Sequence, residues 1–111
     1  MKQVVKIGEK EYTLEFTRRS VEDAERVFNT SLARVEVETV ADSFNVLKTL
    51  LYAGLVKNHP TLTKDDMEGV LDEFIGEEGF EMEGLAQDLI KFLEAVLNPK
   101  GGGRRKSLLK K

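Results

Sequence analysis

The chain contains no cysteine and no tryptophan, one histidine and two prolines. Without cysteine there is no disulfide framework, zinc–thiolate site, iron–sulfur cluster or thiol nucleophile. With His59 alone, a His-rich metal centre is excluded, and any histidine-based triad rests on that one residue. No apolar run approaches the ~20 residues that span a bilayer. The opening Met1-Lys2-Gln3-Val4-Val5-Lys6 is too short and too charged for a signal peptide, so the expectation is a soluble intracellular protein without a membrane partner. Nothing in this inventory supplies a cofactor or metal site.

What is present is charge, unevenly placed. The net charge is −3, yet six of the 17 basic residues (Lys100, Arg104, Arg105, Lys106, Lys110 and Lys111) follow Pro99, and all 20 acidic residues precede it. Residues 1–99 therefore carry −9 and the last twelve carry +6. The 111 residues suffice for one compact domain. The division expected is a single hairpin-plus-helices domain over 1–99 and a disordered basic tail over 100–111, whose three glycines and missing apolar period give no core.

The first segment alternates. Val5 and Ile7 share one strand face, Tyr12, Leu14 and Phe16 share the next, and Gly8-Glu9-Lys10 forms the turn between them. Two strands alone are marginal in water, so helices must cover the apolar face. A helical period follows, with Thr17 or Ser20 as cap and Val21, Ala24 and Phe28 on one face. In the connector 29–39, the alternation Arg34-Val35-Glu36-Val37-Glu38 fits either a short edge strand carrying Val35 and Val37 or an extended loop.

Thr39 and Asp42 open what reads as the longest helix, about 40–58. Its residues Val40, Phe44, Leu47, Leu51 and Leu55 fall within an arc of about 80°. Val46, Tyr52, Ala53 and Val56 lie on its far side, so the helix is either central or covered again by another chain. His59-Pro60 ends it. Thr63-Lys64-Asp65-Asp66 starts a third helix with a cap and acids in the first turn, and Gly76 stops it. The last helix, about 81–98, has an apolar arc of about 160° that includes Leu85, Leu89, Ile90, Phe92 and Leu97. The fold class expected is therefore α+β, mainly α: an N-terminal β-hairpin on a bundle of about four helices.

Chemistry-bearing patterns are sparse. His59 precedes proline at a helix end with no nucleophile motif beside it, and reads as a histidine near the last helix carbonyls. Adjacent carboxylates such as Asp65/Asp66, Asp72/Glu73 and Glu77/Glu78 point about 100° apart on a helix, and neither Asp65–Glu77 nor Asp72–Glu83 has the register of a calcium loop. They read as a solvated acidic face. Gly101-Gly102-Gly103 lacks the phosphate-loop spacing. The basic tail has no aromatic residue to stack on a base, and the acidic body repels polyanions, which argues against nucleic acid as partner. The excess apolar arc on the second and fourth helices is instead the signature of a partner or self-association surface. Val46, Tyr52, Val56, Ile90 and Leu97 are the candidates for it.

The run Tyr12-Thr13-Leu14-Glu15-Phe16-Thr17-Arg18-Arg19-Ser20-Val21 with Ala24-Glu25, the Ala53-Gly54-Leu55 helix running into His59-Pro60, and Leu62-Thr63 opening an acidic helix together resemble tail assembly chaperones of long-tailed phages and prophages of Gram-positive hosts. The resemblance covers most of residues 3–98. It implies a small helical viral or prophage protein of the host cytoplasm, not an enzyme. It further implies binding of the tape-measure protein, which is kept soluble during tail morphogenesis. The family's self-association implies a homo-oligomer, and its frameshifting implies a longer form of the same chain as a further partner. The reading from a different class is a small acidic regulatory module, such as an inhibitor of a nucleic-acid enzyme. Salt separates the two, because an electrostatic decoy weakens steeply with ionic strength and an apolar groove weakens little.

Overall fold

A computed structural model describes residues 2–33 and 35–97. The expected tail, 100–111, lies outside the described residues. The chain runs β1 (Lys2–Ile7), β2 (Lys10–Glu15), α1 (Arg18–Phe28), α2 (Val37–Asp42), α3 (Phe44–Leu55), α4 (Asp66–Ile75) and α5 (Met82–Leu97). It is an α+β protein, mainly α, with an antiparallel hairpin packed on helices. No helix of the described residues is long and apolar enough to cross a membrane.

Gly8 makes the hairpin tight. It takes φ +63° at the first of the two turn positions, where a hairpin turn of the II′ class places glycine. Register then fixes the faces: Val5 opposes Tyr12 and Gln3 opposes Leu14, so these four side chains point inward with Ile7. Lys2, Val4 and Lys6 point outward with Glu11, Thr13 and Glu15.

α1 starts with a capping box at Thr17, the earlier of the two candidate caps, with Ser20 as its partner. Thr17 Oγ1 accepts from the Ser20 N–H at 3.0 Å, and Ser20 Oγ accepts from the Thr17 N–H at 2.9 Å. The helix ends at Asn29, which takes the left-handed φ of 51°. The connector that follows is anchored by buried Leu32, whose N–H donates to the Glu25 carboxylate at 2.7 Å.

Of the two alternatives for the connector, the edge strand through Val35 and Val37 does not form: Val35 lies in irregular backbone, as a loop would have it, and Val37 is the first residue of α2. The single helix over 40–58 is two helices. Ser43 sits in extended backbone (φ −131°, ψ 110°) and its hydroxyl accepts from the Val46 N–H at 3.3 Å, so it ends α2 and caps α3. A serine side chain competing for a backbone N–H is a softer stop than proline or glycine, and the apolar period runs straight across it.

α3 is the centre of the molecule. It touches β2, α1, α2, α4 and α5. Eight of its 12 residues are buried, on every side. Its two-sided apolarity is therefore satisfied within the chain. Buried Thr49 stays in this helix by donating its hydroxyl to the Asn45 carbonyl at 2.7 Å. Gly54 lets the hairpin press close, because a Cβ there would lie 2.8 Å from Phe16 and 2.9 Å from Leu14.

The segment after α3 closes the outer edge of β2. The Thr13 N–H donates to His59 Nε2 at 3.0 Å, and Glu15 accepts from Lys57 at 2.9 Å and Asn58 at 3.2 Å. His59 thus serves the strand, with its ring against Tyr12 (5.7 Å between centroids). An edge donor that would otherwise template further strand pairing is capped by a side chain. α4 opens with a reciprocal pair: Thr63 Oγ1 accepts from the Asp66 N–H at 3.3 Å, and the Asp66 carboxylate accepts from the Thr63 N–H at 2.9 Å.

Candidate partner-binding groove

The hairpin does not lie flat on the helices. Tyr12, Leu14 and the following Phe16 are buried over α3, whereas Val5 and Ile7 on the same face are only half-buried. β2 is thus seated and β1 overhangs. Beneath the overhang runs a groove of about 360 Å3. One wall is Gln3, Val5 and Ile7 of β1. The other is Gly84, Leu85 and Phe92 of α5, and Leu14, Phe74 and Leu89 are at its inner side. Phe16 and Phe92 pack ring to ring at 6.3 Å and tie α5 to the hairpin.

The rim has one sign. Among the described residues that line the groove, the charged ones are Glu77, Glu78, Glu81 and Asp88, with no lysine or arginine. All four are exposed. Gly79 takes φ +81° in the loop between α4 and α5, which lets that loop turn and carry its glutamates to the mouth. An apolar slot under a row of carboxylates suits an amphipathic segment whose flanks are basic.

A polar lock holds the hairpin turn against α4. The Tyr12 hydroxyl and the Lys10 ammonium both donate to the Glu73 carboxylate. The Lys10 bond, and then the Tyr12 bond, hold the Glu73 carboxyl below the usual carboxylate range. Burial, reinforced by the hydrogen bond to Glu73 and its charge, pushes the Tyr12 phenol up to about 12. At the other end of β2, Lys57 and then Asn58 hold Glu15 low in the same way. Both clamps fix β2 and leave β1 free on its outer edge.

The five surface residues expected from the helix wheels lie elsewhere. Tyr52 and Ile90 are core residues, each 8% exposed, and Tyr52 packs edge-on against Phe28 at 5.5 Å. They present no surface, because α3 is enclosed by its neighbours and Ile90 sits on the inner face of α5. Val46, Val56 and Leu97 are half-buried against the core, and none lines the groove. Among the described residues, the large apolar side chains left open are Val4, Phe44 and Ile75, of which Phe44 is 57% exposed at the start of α3. The groove residues were visible singly, as the inner face of β1 and part of the wide arc of α5. Their juxtaposition depends on which strand of the hairpin is seated, and alternation is the same in both strands.

Among the described residues there is no group of three His, Cys, Asp or Glu side chains that could hold a metal ion. His59 already accepts a backbone N–H through Nε2. The groove is accordingly the feature with the clearest binding chemistry. Comparison with known families places the chain. A family model described as "Domain of unknown function (DUF5055)" matches residues 1–101. The chain belongs to the DUF5055 family. No curated protein and no solved structure matches it. The match takes in the hairpin, all five helices and every residue of the groove, and it stops before the basic run of the DUF5055 chain at Arg104.

Proposed function

We propose that this domain is a tail assembly chaperone of a long-tailed phage or prophage, and that it keeps the tape-measure protein soluble by holding an amphipathic helical segment of it in the groove between β1 and α5. The observation that carries the reading is that groove, apolar within and acidic along its rim. A chaperone for a long amphipathic chain needs an apolar slot that releases its occupant, and carboxylates that keep the loaded complex soluble. The resemblance over residues 3–98 supplies the class of partner. Self-association with further copies, or with a longer frameshifted form, is the second part of the proposal, and exposed Phe44 is its candidate contact.

The experiment is co-expression with fragments of the tape-measure protein encoded in the same genome. Soluble fragment should rise several-fold with the chaperone and should fall back with Gly84→Trp. Gly84 lines the groove, and a Cβ there meets nothing closer than 3.8 Å, so the indole fills the slot without entering the core. Absence of any rescue by the wild-type chain overturns the function. Rescue that Gly84→Trp leaves intact overturns the groove as its site.

A further inference from the structure

The groove has two unlike ends, and the hairpin register fixes which is which. Lys10 opposes Ile7 and bonds Glu73 near the end of α4, so the Ile7 end of β1 lies by the loop that carries Glu77, Glu78 and Glu81. Glu15 opposes Lys2, and the next residue, Phe16, packs on Phe92, so the Gln3 end lies by the later turns of α5. β1 therefore runs opposite to α5 along the groove. Among the described lining residues, three of the four carboxylates stand at the Ile7 end, and Asp88 is about midway between Gly84 and Phe92. At the Gln3 end the lining is Gln3, Leu14 and Phe92. Lys2 and Lys91 adjoin that end in sequence, and Glu15 beside Leu14 is already held by Lys57 and Asn58. Resting on the reading that a partner helix docks here, we infer that the groove accepts the helix in one direction, parallel to α5, with a basic N-terminal turn set at Glu77, Glu78 and Glu81.

The groove is the site, and its carboxylates choose the direction. An incoming helix carries about half a positive charge at its N-terminus and half a negative charge at its C-terminus. The ends of the resident helices offset each other: α4 ends at Ile75 and α5 begins at Met82, so half-charges of opposite sign meet at the same loop. Lys10, the basic side chain nearest that loop, is taken up by Glu73. Three whole negative charges remain, and they outweigh any half-charge left over. They favour the N-terminal end of the incoming helix through its dipole and favour lysine or arginine in its first turn; a reversed helix would aim its last carbonyls at the same carboxylates. An isolated helix disfavours basic residues in its first turn, so that arrangement marks a segment matched to this groove. The carboxylates are exposed, so salt screens the choice of direction, whereas burial against Val5, Leu85 and Phe92 persists.

Two hydrocarbon-stapled amphipathic peptides of identical composition and apolar face test the direction. One has lysines in its first turn only, the other in its last turn only, and each carries a nitroxide at its N-terminus. Both are added to the methyl-labelled full chain and followed by NMR. The lysine-first peptide should bind about two- to five-fold more tightly. Its nitroxide should broaden the methyls of Ile7 and Leu85 most and those of Leu14 least. In the variant with Glu77→Gln, Glu78→Gln and Glu81→Gln the difference in affinity should vanish, while both peptides still shift the groove methyls. Stronger broadening at Leu14 than at Ile7, equal affinities in the wild-type chain, or a preference that survives the three substitutions would each overturn the inference and leave the groove as a docking site. If neither peptide shifts any groove methyl, the docking reading falls, and the inference falls with it.

Discussion

Gly54, Gly69 and Gly84 are all helical glycines, yet the same substitution should act on them with opposite sign. Gly69 in α4 has no heavy atom within 4 Å of where a Cβ would stand, so Gly69→Ala gains only what a helix gains, about 0.5–1 kcal/mol. Gly84→Ala should behave alike, with 3.8 Å of clearance. At Gly54 the added carbon would stand 2.8 Å from a ring carbon of Phe16 and 2.9 Å from a methyl of Leu14. Both neighbours are buried, 5% and 4% exposed, so they must push the hairpin away from α3 rather than swing into solvent. Overpacking of that kind costs about 1–3 kcal/mol, against the same helical gain of about 0.5–1 kcal/mol. The expected net loss is up to about 2.5 kcal/mol, and each kcal/mol lowers Tm by about 4–8 °C in a domain of this size. Leu14 lines the groove, and Phe16 packs on Phe92, which lines it too, so Gly54→Ala should also shift the Phe92 ring resonances. Urea denaturation followed by circular dichroism gives the stabilities side by side. If Gly54→Ala is as stable as Gly69→Ala, the close seating of β2 on α3 is wrong, and with it the overhang that makes the groove.

Other expectations follow from the same contacts. Thr17→Ala removes one half of the α1 capping box and should cost about 0.5–2 kcal/mol in chemical denaturation. His59→Ala leaves the Thr13 N–H without its acceptor; a loss of about 1–3 kcal/mol and faster exchange of that amide are expected, whereas unchanged exchange would mean that the ring does not hold that N–H. Folded Tyr12 keeps its proton to about 12 while an unfolded tyrosine releases it near 10.0. Ionisation over that interval therefore favours the unfolded chain, and stability should decline as pH rises from 10 to 12, less so in Tyr12→Phe. Glu15 and Glu73, held low by their partners, act in the opposite direction. Their contribution is present above the ordinary carboxylate range and is lost as pH falls through their lowered values, a trend that Glu73→Gln should reduce in acid titrations. Phe44→Ser should weaken self-association in sedimentation velocity without lowering Tm, since its side chain is largely outside the core.

The hairpin was legible because its alternation, its glycine turn and its apolar inner face all agree, and α1, α4 and α5 were legible because each has a cap or stop as well as a period. The break at Ser43 was not, since the apolar stripe from Val40 through Phe44 to Leu47 continues as though nothing intervened. The two-sided apolarity of α3 is plain in the period, and its two explanations, central helix or cover by a partner, are both physical. Periodicity shows how much surface a helix must bury and not what buries it. Tyr52 and Ile90 lie on apolar arcs wide enough to suggest a surface, and their own chain covers them. The groove was hidden for a related reason. It arises from an offset between two elements, with β2 seated at Gly54 and β1 beyond the edge of the layer, and that offset is set by atoms far apart in sequence. The acidic residues at the mouth looked like any solvated face until Gly79 and the turn around it placed them over an apolar slot.

The central claim is that this groove is where the chain receives an amphipathic segment of its partner. Methyl-labelled protein, observed by NMR while a soluble helical fragment of the tape-measure protein is added, tests it most directly. The account predicts that the largest shifts fall on the methyls of Val5, Ile7, Leu85 and Leu89, on both walls of the groove together. Shifts confined to Val46, Val56 or Leu97, with those four methyls unmoved, would contradict it.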